Sequence, residues 1–233
     1  LKVDLTWNPL PTQSEVYYDD KTETLLFSGG LGSGKSHMLV KKAIRLSILN
    51  RNLPGGFLVP SYSDFRRDIK PLFQDILEEE MGLKQKVHWD FHNTHKEFSF
   101  LWSSKPLYLF TAENPIAGPN LAYCLINEYS LMKYERVQEM LRRVRLKDVP
   151  HLQKILAGTP EDLYGWLEDF IEAQEETGKF KIHFADTREN HHIDKTYREH
   201  LESMLDDQSL KVFASGQIVK IGGKYFYYAF TRD

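Results

Sequence analysis

Residues 29 to 36, GGLGSGKS, hold Gly29, Gly34, Lys35 and Ser36 at the spacing G-x-x-x-x-G-K-S. Each residue type there has a task in holding a phosphate chain. Glycines let the backbone wrap tightly and turn its N–H groups toward phosphate oxygens. A lysine at the Lys35 position sets a point charge against β- and γ-phosphates, and a hydroxyl at the Ser36 position is a Mg²⁺ ligand. With Gly30, Gly32 and Ser33 completing the turn, 29–36 is the candidate cradle for a nucleoside triphosphate. The opening residue of a helix after the turn adds a positive dipole end.

Such a cradle needs a strand before it and a helix after it. "TLLF" supplies an apolar strand, and "HMLVKKAIRLSIL" supplies a helix with Leu39, Ala43 and Leu46 on one face. Beyond it, elements alternate as in a mostly parallel sheet flanked by helices. Strands are expected at 56–60, 121–127, 152–158 and 179–185, and helices at 63–81 (kinked or broken at Pro71), 133–145, 162–174 and 193–206. Between 86 and 112 the period-two pattern of Val87, Trp89 and Phe91, then of Phe98, Phe100 and Trp102, predicts three added antiparallel strands. A hairpin turning at Gly222–Gly223 is expected near the end.

The 233 residues, 41% apolar and 13% aromatic, suffice for one large α/β domain. A net charge of -3 gives no overall basic field, so contact with nucleic acid would need a local patch. The lone Cys124 allows no intrachain disulfide and suits a reducing compartment; it reads as a small buried hydrophobe. No apolar run approaches the length of a membrane span, and the first residues do not resemble a signal peptide.

Chemistry beyond binding requires polar groups at the carboxyl ends of neighbouring strands. "AYCLINEYS" ends its strand in Asn127 and Glu128. Glu128 can serve as general base toward water, and Asn127 can accept a hydrogen bond from a metal-bound water without adding charge. "ILAGTPEDLYG" ends in Thr159, placed either to sense a terminal phosphate or to cap the next helix with Glu161 or Asp162. Upstream, Gln13 lies in an N-terminal arm; its amide can pair with an adenine edge, and Tyr17 or Tyr18 can stack on a base.

"PTQSE", "GGLGSGKS", "NPIAGPNLAYCLINEYSLM", "ILAGTPEDLYGWLEDF" and "DTRENHHIDKTYREHLESML" together resemble, in order and over nearly the whole chain, the ATPase domain of tailed-phage terminase large subunits. The resemblance implies a P-loop ATPase of the ASCE type, in which the catalytic glutamate lies on a strand apart from the P-loop. It implies ATP and Mg²⁺ as ligands, with Gln13 as adenine contact, Lys35 and Ser36 on phosphate and metal, Asn127 on the metal's water shell, Glu128 catalytic and Thr159 coupling. It further implies a core at 1–185, a lid or linker at 186–233 leading toward a C-terminal nuclease domain beyond this sequence, and no DNA cleavage by these residues. Implied partners are double-stranded DNA, portal protein, the small terminase subunit and other copies in a ring on the procapsid, with a monomer in isolation, all in the host cytoplasm. Three departures stand out: Leu31 and Ala117 replace arginines common in the family, and Asn127 replaces a frequent Asp.

The missing arginines turn attention to others. Arg142, Arg143 and Arg145, and also Arg66 and Arg67, are candidates for an arginine finger or for DNA phosphates, or belong to solvated helix faces. The acidic stretch 161–176 should avoid DNA. His88, His92 and His95 fall on strand and turn, a poor metal face. Two other readings compete: a P-loop small-molecule or nucleotide kinase, and a nucleotide-gated assembly module with little hydrolysis.

Overall fold

The computed structural model describes residues 7–161 and 164–219. An eight-stranded sheet in the order β3-β4-β5-β2-β6-β7-β1-β8 forms its centre. Here β1 is Thr24–Gly29, β2 Gly55–Val59, β3 Trp89–His92, β4 Glu97–Phe100, β5 Ser103–Thr111, β6 Tyr123–Asn127, β7 Gln153–Gly158 and β8 Phe180–Ala185. From β5 to β8 every pairing is parallel; β3 and β4 extend one edge antiparallel.

Burial explains the sequence pattern. β1, β2 and β6 are covered on both faces, so they are near-continuous apolar runs. Side chains such as Leu25, Leu26 and Phe27 contribute about 1.5–3 kcal/mol each when fully buried. One apolar cluster packs α2 (Lys35–Leu49) and the helical run 62–80 against one face; the other packs Val137, Met140, Leu167 and Phe170 against the opposite face. The predicted antiparallel strands are present, joined by Phe65, Phe73, Phe91, Phe98 and Phe100 in ring contact, with Phe73 and Phe98 stacked at 4.2 Å. Val87, expected to alternate with them, lies outside β3 and is 61% exposed.

Several boundaries differ from expectation for local reasons. Pro71 does not break its helix. A widened turn at Phe65–Ile69 lets the Lys70 N–H reach Phe65 O, carrying the ladder past the residue without an N–H. The helix expected at 133–145 ends at Leu141. Its last residues instead bond alongside Leu121: Leu121 N donates to Arg143 O and Arg145 N donates to Leu121 O. The helix expected at 162–174 spans Leu167–Glu175, after a left-handed Gly165 (φ 64). The helix expected at 193–206 is two, Lys195–Met204 and Asp207–Phe213, because Leu205 turns extended and the Asp206 carboxylate accepts from Ser209 N at 2.7 Å. The N-terminal arm is a helix, α1 (Pro11–Tyr18). The expected hairpin around Gly222–Gly223 lies outside the described residues.

Among the described residues no helix is long and apolar enough to cross a membrane, and no cluster of histidine, cysteine and carboxylate groups could hold a metal.

Candidate functional site

The strand order β6-β7-β1 brings three carboxyl ends side by side: Asn127–Glu128, Gly158–Thr159 and the turn after Gly29. The turn leads into α2 through Gly34, whose φ of 78° is left-handed, a conformation that favours glycine. A Cβ there would stand 2.3 Å from Gln13 Nε2, so a side chain at 34 would also push the Gln13 amide from its place.

Gln13 is buried at 4% exposure, and its amide is fully engaged. Its Oε1 accepts from Leu10 N at 3.0 Å, while Nε2 donates to Gly34 O at 3.0 Å and to Ser33 O at 3.4 Å. Gln13 thus ties α1 to the outside of the turn. Of the two rings considered for stacking, Tyr17 is buried against Trp7 at 4.9 Å and is part of the packing; only Tyr18 is exposed.

Inside the turn, Lys35 Nζ donates to Gly30 O at 2.8 Å. The Ser36 hydroxyl donates to Asn127 Oδ1 at 3.1 Å, so the two residues expected on a metal's coordination shell already meet. A hydroxyl beside an amide oxygen suits a hard cation that prefers oxygen ligands, and α2's N-terminal amides suit the phosphates such a cation accompanies.

Glu128 follows β6 in a left-handed backbone conformation, φ 55°, unusual for a side chain with a Cβ and costing of the order of 1–3 kcal/mol. Its N–H donates to Ala157 O at 2.7 Å, fixing the bend, and its carboxylate lies 3.5 Å from Thr159 N. Thr159, 2% exposed, accepts at its carbonyl from Ser130 Oγ at 2.6 Å and from Glu161 N at 2.8 Å. The turn 159–161 is therefore joined to the Glu128 segment from both sides.

Charge within the cleft is coupled. Burial lowers the pKa of the Lys35 ammonium, opposed by the nearby carboxylates of Glu128 and Glu161. Burial, then Glu128, raises the pKa of Glu161, against the pull of Lys35. Glu161 entered the sequence reading as a helix cap and as the start of the acidic stretch 161–176, yet it faces the same lysine as Glu128. Its position three residues beyond the end of β7, the strand between Glu128 and the P-loop, was the available signal.

Gln13, residues 29–36, Asn127, Glu128 and Thr159 thus converge, whereas the five candidate arginines do not join them by any described contact. Arg66 is exposed, and Arg67 pairs with Asp64 and Asp68. Arg142 is exposed, with a long 3.5 Å contact to Gln138. Arg143 donates to Ile116 O and Gly118 O, both at 2.9 Å, and Arg145 to Asn120 Oδ1 at 2.7 Å. The latter two brace the loop that contains Ala117. Sequence reasoning also missed Thr187 and Asn190, which bond the outside of the P-loop.

A P-loop at the end of one parallel strand, with a strand-end glutamate separated from it by a single strand, defines a P-loop nucleotide-binding fold of the ASCE kind. No protein-family model matches the sequence, and no curated protein matches it. Solved structures do match in fold. The large terminase of a thermophilic bacteriophage superposes with a TM-score of 0.76 at 15% identity, covering 91% of this chain and 54% of that one. The large terminase ATPase domain of Thermus phage P74-26 gives 0.64 at 13% identity, over 92% of this chain and 96% of that one. The large terminase of bacteriophage HK97 gives 0.61 at 12% identity, over 91% and 51%. The chain has the fold of these terminase ATPase domains and spans about half the length of the first and third of these proteins.

Proposed function

We propose that the chain is the ATP-hydrolysing motor domain of a DNA-packaging terminase large subunit, with a core at 1–185 and a lid or linker from 186 onward. The observation that carries this reading is the Ser36–Asn127 hydrogen bond at the mouth of the 29–36 turn, beside Glu128. It joins the cradle to the catalytic strand. The large terminase of the thermophilic bacteriophage, of the same fold, is known in complex with ATP-gamma-S, with a TM-score of 0.74 and 16% identity.

In this reading the backbone amides and Lys35 bind the β- and γ-phosphates, and Gln13 borders the base. Ser36 and, through a water, Asn127 would hold Mg²⁺, which when bound neutralises charge on the phosphate oxygens. Glu128 accepts a proton from the attacking water while the water's oxygen bonds to the γ-phosphorus. The bond from that phosphorus to the bridging oxygen breaks, and ADP leaves with the electron pair. Thr159, bonded to the Glu128 segment, passes the change to 159–161 and the helix beyond. Double-stranded DNA is the load, in the host cytoplasm, with the portal, the small subunit and further copies in a ring as partners.

The test is the steady-state ATPase rate of the protein with Mg²⁺ against protein concentration, with and without double-stranded DNA, alongside Glu128→Ala. The motor reading expects phosphate released to water, a rate per chain that rises with concentration if a neighbour supplies an arginine, and loss of turnover in Glu128→Ala. Transfer of phosphate to an added acceptor would favour a kinase. Binding without turnover at any concentration would favour an assembly module.

A further inference from the structure

Every described peptide bond is trans, so each carbonyl and the following N–H point in opposite directions. Whatever holds one end of a P-loop peptide therefore aims the other. Segment 187–216 does much of this holding. Thr187 Oγ1 donates to Leu31 O at 2.7 Å, and Asn190 Nδ2 donates to Gly32 O at 2.7 Å. With Gly32 O held outside, Ser33 N–H turns inward and reaches Gly30 O at 3.2 Å.

The Gly30–Leu31 peptide is held by its other end. Leu31 N–H donates outward to Phe213 O at 2.6 Å, so Gly30 O faces into the cradle. There it accepts from Lys35 Nζ and from Ser33 Oγ, each at 2.8 Å. Donors suited to a phosphate are spent on a carbonyl of the loop itself. Segment 187–216 also lies directly on this peptide: a Cβ on Gly30 would stand 2.1 Å from Ala214 O and 2.4 Å from Thr187 Oγ1.

We propose that Thr187, Asn190 and the Phe213 carbonyl are positioning groups for Lys35: acting through the Leu31–Gly32, Gly32–Ser33 and Gly30–Leu31 peptides respectively, they hold the P-loop in a self-bonded form that a triphosphate must open. The inference rests on reading 29–36 as a triphosphate cradle. Nucleotide binding then requires the Gly30–Leu31 peptide to turn, which releases Phe213 O and hands the event to the C-terminal segment directly, in parallel with Thr159. Gly30 is suited to that rotation because it lacks a Cβ.

The experiment measures binding of a non-hydrolysable ATP analogue with Mg²⁺ by calorimetry to the parent, Thr187→Val and Asn190→Ala, with thermal unfolding followed in parallel. Loosening the self-bonded form removes part of the opening cost, so the folded variants should bind the analogue about three- to tenfold more tightly. Residues that merely shape a ready cradle would do the reverse, and unchanged or weaker binding in folded variants overturns the proposal. Should the variants unfold, a crystal structure of the parent with the analogue decides. Lys35 Nζ moved from Gly30 O to phosphate, with Leu31 N no longer on Phe213 O, supports it; an intact Leu31–Phe213 bond overturns it. A parent that binds no analogue overturns the cradle reading itself.

Discussion

At the scale of single residues the site contains an asymmetry of charge. Lys35 faces two carboxylates, Glu128 and Glu161, while Asn127 brings a neutral oxygen to the place where Ser36 bonds. A cation held through Ser36 would gain attraction from a carboxylate at 127. Asn127→Asp should therefore lower the Mg²⁺ concentration for half-maximal ATPase activity by about three- to tenfold, read from a Mg²⁺ titration at fixed ATP. No shift, or a higher requirement, would place residue 127 away from the metal. Gly29, Gly34, Lys35 and Ser36 were legible in the sequence because phosphate chemistry demands those types at a local spacing, and Glu128 because an apolar strand runs directly into it. Glu161, Thr187 and Asn190 were not. Their roles arise from which strands and loops meet, and an Asn in "DTREN" is indistinguishable by type from any turn residue.

At the scale of elements, the N-terminal helix shows how a weakly amphipathic segment is held in place. Buried Lys42 of α2 donates to Tyr17 O at 2.9 Å, Asp19 O at 2.8 Å and Asp20 Oδ1 at 3.0 Å, which closes the C-terminal end of α1. Burial, opposed by Asp20, lowers the pKa of that ammonium to about 8. Arg45 pairs with the same Asp20 and lies 5.2 Å over the Tyr17 ring. Lys42→Met keeps the stem's volume but removes the ammonium's bonds to Tyr17 O and Asp20, while Asp19 O keeps the bond from Gln153 Nε2 at 2.8 Å. It should destabilise the fold by about 2–4 kcal/mol in urea unfolding. It should also weaken nucleotide binding, because α1 carries Gln13; a loss below about 0.5 kcal/mol would mean that α1 is held by its other contacts, such as those of Thr12 with Glu189 and Gln13 with Gly34. The sequence could not reveal this. An eight-residue helix without a clear apolar stripe reads as an arm, and a lysine on an apolar helix face reads as solvated. Strands β1, β2, β6 and β7 were legible for the opposite reason: burial on both faces writes an unbroken apolar run. Helix ends were misread where the chain uses a backbone contact, as at Leu121, or a new cap, as at Asp206.

At the scale of the whole molecule, the parallel sheet has two unlike ends. The carboxyl ends hold the cradle. At the opposite ends, Asp19, Asp20 and Glu23 tie together α1, α2, β1, β7 and the edge strand β8. Burial alone would raise the Asp19 pKa, but hydrogen bonds from the Thr22 side chain, the Thr22 and Lys21 backbone and Lys181 hold it well below the usual carboxylate range. Asp20 is likewise lowered, against burial, by Arg45 and Lys42, and Glu23 by Lys154 and Lys179. In the C-terminal segment Asp186 is lowered, again against burial, by Arg188 and Ser215. The sign follows directly. With folded pKa values below unfolded ones, the unfolded chain binds more protons near pH 4, so this stability is present above about pH 4 and lost as pH falls through the folded values. Glu161, with its pKa raised, runs the other way as a single opposing group. The urea midpoint should therefore change little from about pH 7 to 5 and drop steeply below about pH 4. Asp19→Asn sharpens the test. The variant should be less stable than the parent at pH 7 and lose less on acidification, so that the two curves converge at low pH. Parallel curves across the range would mean that Asp19 does not bind β8 to the N-terminal helix through its charge, and that the edge strand beside the P-loop strand is held by backbone pairing alone.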